Sequence, residues 1–363
     1  MPPDPESAKH VILCLNSGSS SLKFALYHLG EGEEVRLAHG AVERIGLAGG
    51  QLWIRGMDSE ALADVHRDFP GHTAAAEGVS VAAKDLGFPP PVAVGHRVVH
   101  GGPDHTAPER VEAPLLAELR RLVPFAPLHL PSAIQGIEAV AARFPGLPQV
   151  ACFDTAFHRR MPEVAQRLPL ARDLWHEGIR RYGFHGLSYE YVVAALGAAA
   201  QGRLVIAHLG NGASLAAVLN GQPLDTTMGF TPTGGLMMGT RSGDLDPGLL
   251  VHLMHEKGYD AGRLDELVNH QAKRWAPVRC PSYSIFNTCG MYWPVNNAAT
   301  CFWALAGVRG PLRGLANRCC HCWRACRRLV SCCWSPRIWP RRSWELLKST
   351  TVRLAPHRVR RPR

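Results

Sequence analysis

The chain changes composition abruptly near Gln271, and this break limits how much of it can form one folded unit. Residues 272–363 hold 18 of the 40 lysines and arginines but a single acidic residue, Glu345. They also hold nine of the 11 cysteines and seven of the nine tryptophans. The segment before the break is slightly acidic, so the net charge of +10 originates in the last quarter of the chain. Residues 1–271 are called the body below, and residues 272–363 the tail.

The body has the composition of a globular protein. The chain's 363 residues are enough for two domains, and 46% of them are hydrophobic. No uninterrupted apolar run reaches the ~18 residues that a membrane-spanning helix needs. The start of the chain, "MPPDPESAKH", lacks the basic and apolar regions of a signal peptide. The body's cysteines, Cys14 and Cys152, are as sparse as in proteins of reducing compartments. We therefore expect a cytoplasmic protein that does not bind membranes.

Glycine-turned strands alternate with amphipathic helices along the body. Strand–turn–strand units are predicted at 11–27 and 203–219, and the similarity of these two units is compatible with an internal duplication. A further short strand pair is expected around Gly95, and a buried strand is expected to end at Asp154. Helices are predicted at 113–123, at 132–144 with Ser132 as N-cap, and at 247–257 between an Asp246 cap and a Gly258 stop. This mixture predicts an α/β protein of two layered domains.

Two of the turns have the chemistry of a phosphate-binding loop. In "NSGSSSLK" (16–23) and "HLGNGAS" (208–214), glycines leave backbone N–H groups open to close approach by a phosphate. The first turn adds serine hydroxyls and the cation of Lys23. Neither turn ends in the Gly-Lys-Ser/Thr of a P-loop. Simple hairpin turns are therefore an alternative interpretation of both.

A third glycine-rich stretch, "GFTPTGGLMMGTRSGDLDPG" (229–248), carries a single arginine, Arg241, among six glycines. A flexible loop that presents an arginine suits a group that stabilises negative charge on a transferring phosphoryl group. An ordinary surface loop with a solvated arginine is the alternative.

Four other residues are candidates because of their type: Arg97, His129, Asp154 and His185. Arginine binds a carboxylate through two hydrogen bonds, and histidine acts as an acid, a base or a hydrogen-bond donor. Taken singly, each such residue is more often structural than catalytic. The chain has 18 histidines, so residue chemistry alone does not select one of them.

Six segments in order resemble the acetate kinase family. They are "LNSGSSSLKF", "GHRVVHGG", "FDTAFH", "YGFHGLS", "HLGNGAS" and "MGFTPTGGLMMGTRSGDLDPG". The resemblance covers roughly residues 10–271. It implies the two-domain α/β fold of the actin-like ATPases and sugar kinases, with an interdomain cleft. We therefore expect domains at 1–154 and 155–271, the second incomplete, and no native fold for 272–363.

The resemblance also implies a function, the reversible transfer of the γ-phosphoryl group of ATP to acetate, with Mg²⁺, in a homodimer. It gives catalytic roles to Asp154, His185 and Arg241, and substrate binding to Arg97 and His129. At the residue after His129, Leu130 stands where many family members have asparagine. The implied ATP contacts are Lys23, His208, Leu209, Gly210, Asn211 and Gly212, and Asn16 is placed near the metal. Propionate and butyrate kinases share these motifs, so the acyl preference stays open.

The tail lacks the features that the resemblance implies for this part of the chain. Family members continue with an Asp-x-Arg stretch, a Gly-Gly-x-Gly-Glu-Asn loop and a late glutamate at the metal, whereas the tail has no aspartate and only Glu345. One interpretation is a zinc module, from Cys319, His321, Cys322, Cys326 and Cys332, although a paired C-x₂-C frame is missing. Another is a basic arm that binds nucleic acid.

A third interpretation of the tail is translation of a G+C-rich gene out of frame, which readily yields arginine, proline, cysteine and tryptophan. The abrupt break inside a recognisable family favours this third interpretation over a metal or nucleic-acid module. An incomplete second domain and little activity are then expected of the chain.

The out-of-frame interpretation makes a prediction at the level of the gene. Resequencing across codons 260–290 and translating every downstream frame is expected to yield a Gly-Gly-x-Gly-Glu-Asn-like loop and a late glutamate. If the tail sequence is confirmed and no other frame encodes these features, the tail is a genuine segment and the interpretation is wrong.

Overall fold

The computed structural model describes residues 11–30, 34–272 and 301–306. Within these ranges the chain forms two β-sheets with helices packed against them, which confirms the predicted α/β fold. No helix of the described part is both long and apolar enough to cross a bilayer.

The first sheet has eight strands and is mixed. Its strands are β1 Val11–Gly18, β2 Ser21–Leu29, β3 Glu34–Glu43, β4 Gln51–Gly56, β5 Ala61–His66, β6 Ala93–Val98, β7 Glu109–Arg110 and β8 Gln149–Phe153. They are arranged in the order β5-β4-β3-β2-β1-β6-β8-β7. β1, β6 and β8 are parallel neighbours, and the other pairs are antiparallel.

Three helices close the core of the first sheet: α1 His72–Asp85, α2 Ala113–Arg121 and α3 Leu130–Arg143. Val11, Leu13 and Leu15 are buried at alternate positions of β1, as the period of two in a strand requires. They share one hydrophobic cluster with residues of α1 and α3, while α2 and α3 form a second cluster with β6 and β8. A short 3₁₀ turn, Val123–Phe125, follows α2.

The segment around Gly95 forms one strand and not the predicted pair. Gly95 lies in the middle of β6, between Cys14 of β1 and Val150 of β8, and both pairings are parallel. A reversal at this glycine would break two hydrogen-bonded ladders at once. The sheet does not require glycine here for reasons of space, since a Cβ would make only an ordinary contact, 4.0 Å from the Cys14 sulfur.

The start of α3 also differs from the prediction. The helix begins at Leu130 with His129 as its N-cap, and the predicted cap, Ser132, lies buried inside the first turn. Pro131 explains the earlier start, since proline suits the first helical turn, where its missing N–H has no intrahelical partner.

The second sheet is antiparallel, with the order β11-β10-β9-β12. Its strands are β9 Arg203–Leu209, β10 Ala213–Leu219, β11 Gln222–Thr226 and β12 Cys301–Ala306. The helices of this part are α4 Glu163–Gln166, α5 Arg172–His176, α6 Gly186–Leu196, α7 Pro247–Lys257 and α8 Ala261–Glu266, with 3₁₀ turns at Phe157–Arg160 and Gly197–Ala200 and a π-helical turn at Leu267–Gln271. Helix α6 supplies Tyr189 and Val192 to the core that β9 and β10 complete.

Helix α7 begins and ends as predicted. The Asp246 carboxylate accepts the Gly248 N–H at 2.9 Å, and Gly258 ends the helix with φ of +62°. Such caps satisfy groups that helix ends leave without intrahelical partners.

The tail enters the described structure only as β12, which pairs antiparallel with β9. Against the expectation of no native fold for 272–363, the structure describes this one strand in the range. The rest of the tail, including the candidate zinc residues, lies outside the described residues.

Candidate active site

The parallel strands of the first sheet bring three predicted site residues to one edge. Asn16 lies near the end of β1, Arg97 near the end of β6, and Asp154 directly after β8. The carboxyl ends of parallel strands meet at the same edge of a sheet, which is where α/β proteins bind ligands. The sheet thus brings together three residues that are far apart in sequence.

An ion pair between Arg97 and Asp154, with a further hydrogen bond from Arg97 to Asn16, joins these three residues. Arg97 donates from Nε and Nη2 to Asp154 Oδ2, at 3.0 and 2.5 Å, and from Nη1 to Asn16 Oδ1 at 3.1 Å. The Asp154 side chain is only 2% exposed, whereas that of Arg97 is 33% exposed. A buried carboxylate needs a paired cation, and Arg97 supplies it. The remaining N–H groups of the guanidinium are left for another partner, since arginine has five.

Lys23 lies on β2, which forms a hairpin with β1, the strand that carries Asn16. It pairs directly with Asn16 in the β1–β2 ladder, and its side chain is exposed. Directly opposed residues of an antiparallel pair have side chains on the same face. The cation predicted to contact a nucleotide is therefore beside the Arg97–Asn16 hydrogen bond, on a surface open to solvent.

His129 approaches the ion pair from the start of α3. Burial, helped by the positive charges of Arg241 and Arg97 and opposed by Asp154, lowers the pKa of His129 to about 4. This histidine is therefore neutral at pH 7 and lies within electrostatic reach of all three charged groups.

The second sheet and α6 contribute a stacked pair of histidines. The rings of His185 and His208 lie 3.9 Å apart between centroids, with 17° between their planes. His185 is the N-cap of α6 and has a left-handed backbone, with φ of +62°. Burial lowers the pKa of His185 to about 2, helped by the neighbouring His208, Arg97 and Arg241. Burial also lowers the pKa of His208 to about 4, so both rings are neutral at pH 7.

The turn between β9 and β10 passes over this pair. It contains the predicted phosphate contacts Gly210, Asn211 and Gly212, and Leu209 ends β9 directly before it. The Gly210 N–H donates to the Gly212 carbonyl at 3.0 Å. A Cβ on Gly212 would lie 3.1 Å from His185 Nε2 and 3.4 Å from Arg241 Nη1. A side chain at this position would crowd both groups, so glycine keeps open the space where they converge.

Arg241 reaches this point from the glycine-rich loop. The Gly235 N–H donates to Asp244 Oδ1 at 2.6 Å, and the Asp244 N–H donates back to the Gly235 carbonyl at 2.9 Å. Nearer the tip, the Met238 N–H donates to the Arg241 carbonyl, and Arg241 Nη1 donates to the Pro232 carbonyl at 3.2 Å. The loop predicted to be flexible is thus tied across its base and its tip, and it presents Arg241 in a defined position.

Three residues at the site were missed by the sequence analysis. Ser214 contacts His185 Nδ1 at 2.8 Å and the Tyr189 hydroxyl at 2.5 Å, and Ser188 contacts His208 Nδ1 at 2.9 Å. Ser214 lies within the quoted "HLGNGAS" segment, but no spacing rule links it to a histidine 29 residues earlier. The helical spacing of four between His185 and Tyr189 was the one available signal.

The residues present offer limited oxygen ligation for a divalent metal. Among the described residues, no group of three or more His, Cys, Asp or Glu side chains could hold an ion. Asn16 Oδ1 and the Asp154 carboxylate are oxygen donors on either side of Arg97. Such a pair fits Mg²⁺, which usually takes one or two protein oxygens and completes its shell with phosphates and water.

Comparison with known proteins identifies the family. The model of the acetokinase family matches residues 11–273, which is well over half of the chain. The chain belongs to the acetokinase family. The acetate kinase of Nitrobacter hamburgensis is 45% identical over 267 residues, an alignment that covers 71% of this chain and 65% of that protein.

Solved structures of the same family have the same fold. The chain is similar to the acetate kinase of Porphyromonas gingivalis, with 41% identity and a TM-score of 0.64, over 72% of this chain and 68% of that one. It is also similar to a propionate kinase of Francisella tularensis, with 35% identity and a TM-score of 0.66, over the same shares of the two chains.

The family match ends where the composition changes. Its last residue is 273, directly after the Gln271 break, and the chain spans about two thirds of the length of its curated relatives. The similarity therefore covers the body and ends at the start of the tail.

The buried neutral histidines predict a loss of stability in acid. Because the pKa of His185 is about 2 in the folded chain and ordinarily near 6.5, only the unfolded chain binds its proton between these values. The free energy of unfolding should therefore fall as pH drops below 6.5. Denaturant melts of a His185→Gln variant at pH 7.5, 6 and 5 should show a pH slope smaller by up to ~1.4 kcal/mol per unit.

The matched control for this slope is His66→Gln, whose side chain is 70% exposed. As the substitution of an exposed side chain, it should change the free energy of unfolding at pH 7.5 by less than about 0.5 kcal/mol. A slope equal to the parent's in the His185→Gln chain would contradict the assignment of a neutral buried imidazole.

Proposed function

We propose that the body is built to transfer the γ-phosphoryl group of ATP to acetate, reversibly, giving acetyl phosphate and ADP. The observation that carries this proposal is the convergence of His185 and Arg241 on the open space at Gly212, on a glycine turn close to the Arg97–Asp154 pair. Membership of the acetokinase family supports it. The roles below are proposed for individual residues on the same basis.

Acetate binding is assigned to Arg97 and His129. The N–H groups of Arg97 that Asp154 and Asn16 leave free suit a carboxylate, which arginine binds through two parallel hydrogen bonds. Asp154 orients the guanidinium by accepting from its Nε edge, and its charge keeps the pair neutral until substrate arrives. His129, neutral and beside the pair, completes the pocket without adding a third positive charge.

Phosphoryl transfer is assigned to His185 and Arg241, with Asp154 as the catalytic carboxylate. Acetate is a poor nucleophile and both reactants are anionic, so catalysis must come from in-line positioning and from donors at the equatorial oxygens. Arg241 supplies a charge and His185 a neutral hydrogen-bond donor at one place. Both are held in position before substrate binds, which is the condition under which such donors are most effective.

ATP binding is assigned to the two glycine hairpins. The turn from His208 to Gly212 would cradle the phosphates with the main-chain N–H groups that remain after Gly210 donates to the Gly212 carbonyl, because glycines allow close approach. Lys23 adds a cation from the first hairpin. Mg²⁺ would be held at Asn16 Oδ1, with Asp154 nearby, and would neutralise phosphate charge when bound.

The larger organisation follows the same proposal. Residues 1–154 and 155–271 are proposed as the two domains of an actin-like fold, with the second incomplete. A homodimer in the cytoplasm is the proposed state and place of action, as the family resemblance implies. Nucleic acid is not a proposed partner, since the basic residues that would bind it lie in the tail, outside the described structure.

A longer acyl substrate is the second candidate, because the chain is also similar to a propionate kinase. Initial rates on acetate, propionate and butyrate at equal subsaturating concentrations separate the two. We expect the highest rate on acetate, and a higher rate on propionate would assign the chain to the other activity.

Arg241 gives the sharpest test of the transfer site. The Arg241→Ala change should lower kcat by roughly 10²–10³-fold, because a cation of this kind is worth ~3–4 kcal/mol in the transition state. The KM for acetate should change far less, since Arg97 and His129 remain. The measurement is acetate-dependent acetyl phosphate formation with Mg²⁺ and ATP, at several acetate concentrations.

An arginine away from the site provides the control. Arg263 of α8 stacks on Tyr259, with its guanidinium carbon 3.8 Å from the ring centroid, and its change to alanine should leave kcat within twofold. Equal kcat in the Arg241→Ala and parent chains would refute the assignment. We expect the parent chain to turn over slowly because of its tail, and ordinary turnover would show that the tail is no obstacle.

A further inference from the structure

A buried serine connects His185 to a buried tyrosine. Ser214 is fully buried on β10, and its Oγ lies 2.8 Å from His185 Nδ1 and 2.5 Å from the Tyr189 hydroxyl. Tyr189 is also fully buried, and His185 is 9% exposed. The Tyr189 hydroxyl and the His185 ring therefore share one serine hydroxyl in a place from which water is excluded. Each proton in this series of hydrogen bonds must have a definite acceptor.

The direction of these hydrogen bonds follows from the tyrosine end of the series. The Tyr189 hydroxyl is fully buried, and among the described residues its hydrogen-bond partner is Ser214 Oγ. A buried phenol proton needs an acceptor, so Tyr189 donates it to Ser214 Oγ. The serine has one proton as well, and its remaining neighbour is His185 Nδ1. Nδ1 must accept, which leaves the ring proton of a neutral imidazole on Nε2.

That nitrogen faces the site. A Cβ placed on Gly212 would be 3.1 Å from His185 Nε2 and 3.4 Å from Arg241 Nη1, so the ring's proton-bearing edge is directed at the same space as the guanidinium. The backbone favours this arrangement. His185 caps α6 and Tyr189 lies one helical turn later, so the helix brings the phenol beneath the ring.

We propose that Ser214 and Tyr189 are positioning residues that hold neutral His185 in its Nε2–H tautomer, aimed at an oxygen of the transferring phosphoryl group. The phosphoryl part rests on the proposed function, whereas the tautomer does not. The histidine then acts in transfer as a fixed neutral donor, and positive charge comes from Arg241. Without the serine, the ring would be free to place its proton on Nδ1 and present a lone pair to the anion.

The tautomer can be measured directly on the full-length chain. Long-range ¹H–¹⁵N correlation spectra of histidine-labelled protein at pH 7 distinguish the Nε2–H form from the Nδ1–H form, and His185 is assigned by the signals lost in His185→Gln. The parent chain should show the Nε2–H form. Ser214→Ala should shift His185 to a mixture or to the Nδ1–H form, and Tyr189→Phe, which preserves the ring volume, should do so in part.

Thr226→Val is the matched control. Thr226 is a buried residue of the same sheet, and its hydroxyl donates to the Leu215 carbonyl and not to a histidine. The His185 signals should be unchanged in this variant. An Nδ1–H form in the parent chain, or an unaltered Nε2–H form in both Ser214→Ala and Tyr189→Phe, would overturn the proposal.

Kinetics separate this proposal from the function on which its second half rests. Ser214→Ala should lower kcat roughly tenfold or more while the KM values for ATP and acetate stay within twofold, because the donor is misdirected and the binding groups are intact. A chain without acetate-dependent turnover would count against the proposed function alone, and the spectra would still decide the tautomer. A changed tautomer with unchanged kcat would overturn the positioning role.

Discussion

The ion pair between Arg97 and Asp154 is the interaction on which the rest of the site depends. It is formed at the carboxyl edge of the first sheet, where β6 and β8 end, and Arg97 extends it to Asn16 on β1. A carboxylate that is 2% exposed would be costly without its partner, and the guanidinium would have no defined orientation without the carboxylate. Neighbouring parallel strands therefore supply a cation, its counterion and an amide that fixes the geometry of both.

The two arginines of the site outnumber the one carboxylate that the structure describes beside them. Arg97 and Arg241 lie close enough that Arg97 lowers the pKa of Arg241, after the larger effect of burial, while Asp154 is the carboxylate paired with Arg97. His129, His185 and His208 do not add to this positive charge, because burial keeps them neutral. Under the proposed function, anionic reactants would relieve the repulsion between the two arginines.

Local sequence rules predicted the parts of the fold that local interactions determine. The two glycine-turned hairpins and the caps of α7 depend on neighbouring residues, and they are as expected. Gly95 was mistaken for a turn because its role is set by two flanking strands that a linear reading does not show. The start of α3 was misplaced for a simpler reason, since Pro131 outweighed Ser132 in setting the first turn.

The sequence indicated the main candidate residues of the site but not the residues that support them. The order of glycine-rich and histidine-bearing segments indicated the candidate residues, but Ser214 has no signature in sequence and Tyr189 has only its helical spacing of four from His185. Their hydrogen bonds exist only because a helix and a strand pack together around one buried hydroxyl. Supporting contacts of this kind follow from tertiary packing and were therefore found only in the structure.

The braced loop around Arg241 has a consequence for how this fold can diversify. Its ties run between Gly235 and Asp244 and between Met238 and Arg241, and the Ser242 N–H also donates to the Val268 carbonyl of the π-helical turn. The acyl-binding candidates, Arg97 and His129, come from the first sheet and the start of α3. The two groups of residues are thus held by separate scaffolds. Under the proposed function, substitutions that reshape the space for the acid would not need to move the arginine, so acceptor preference could change while the transfer site is retained.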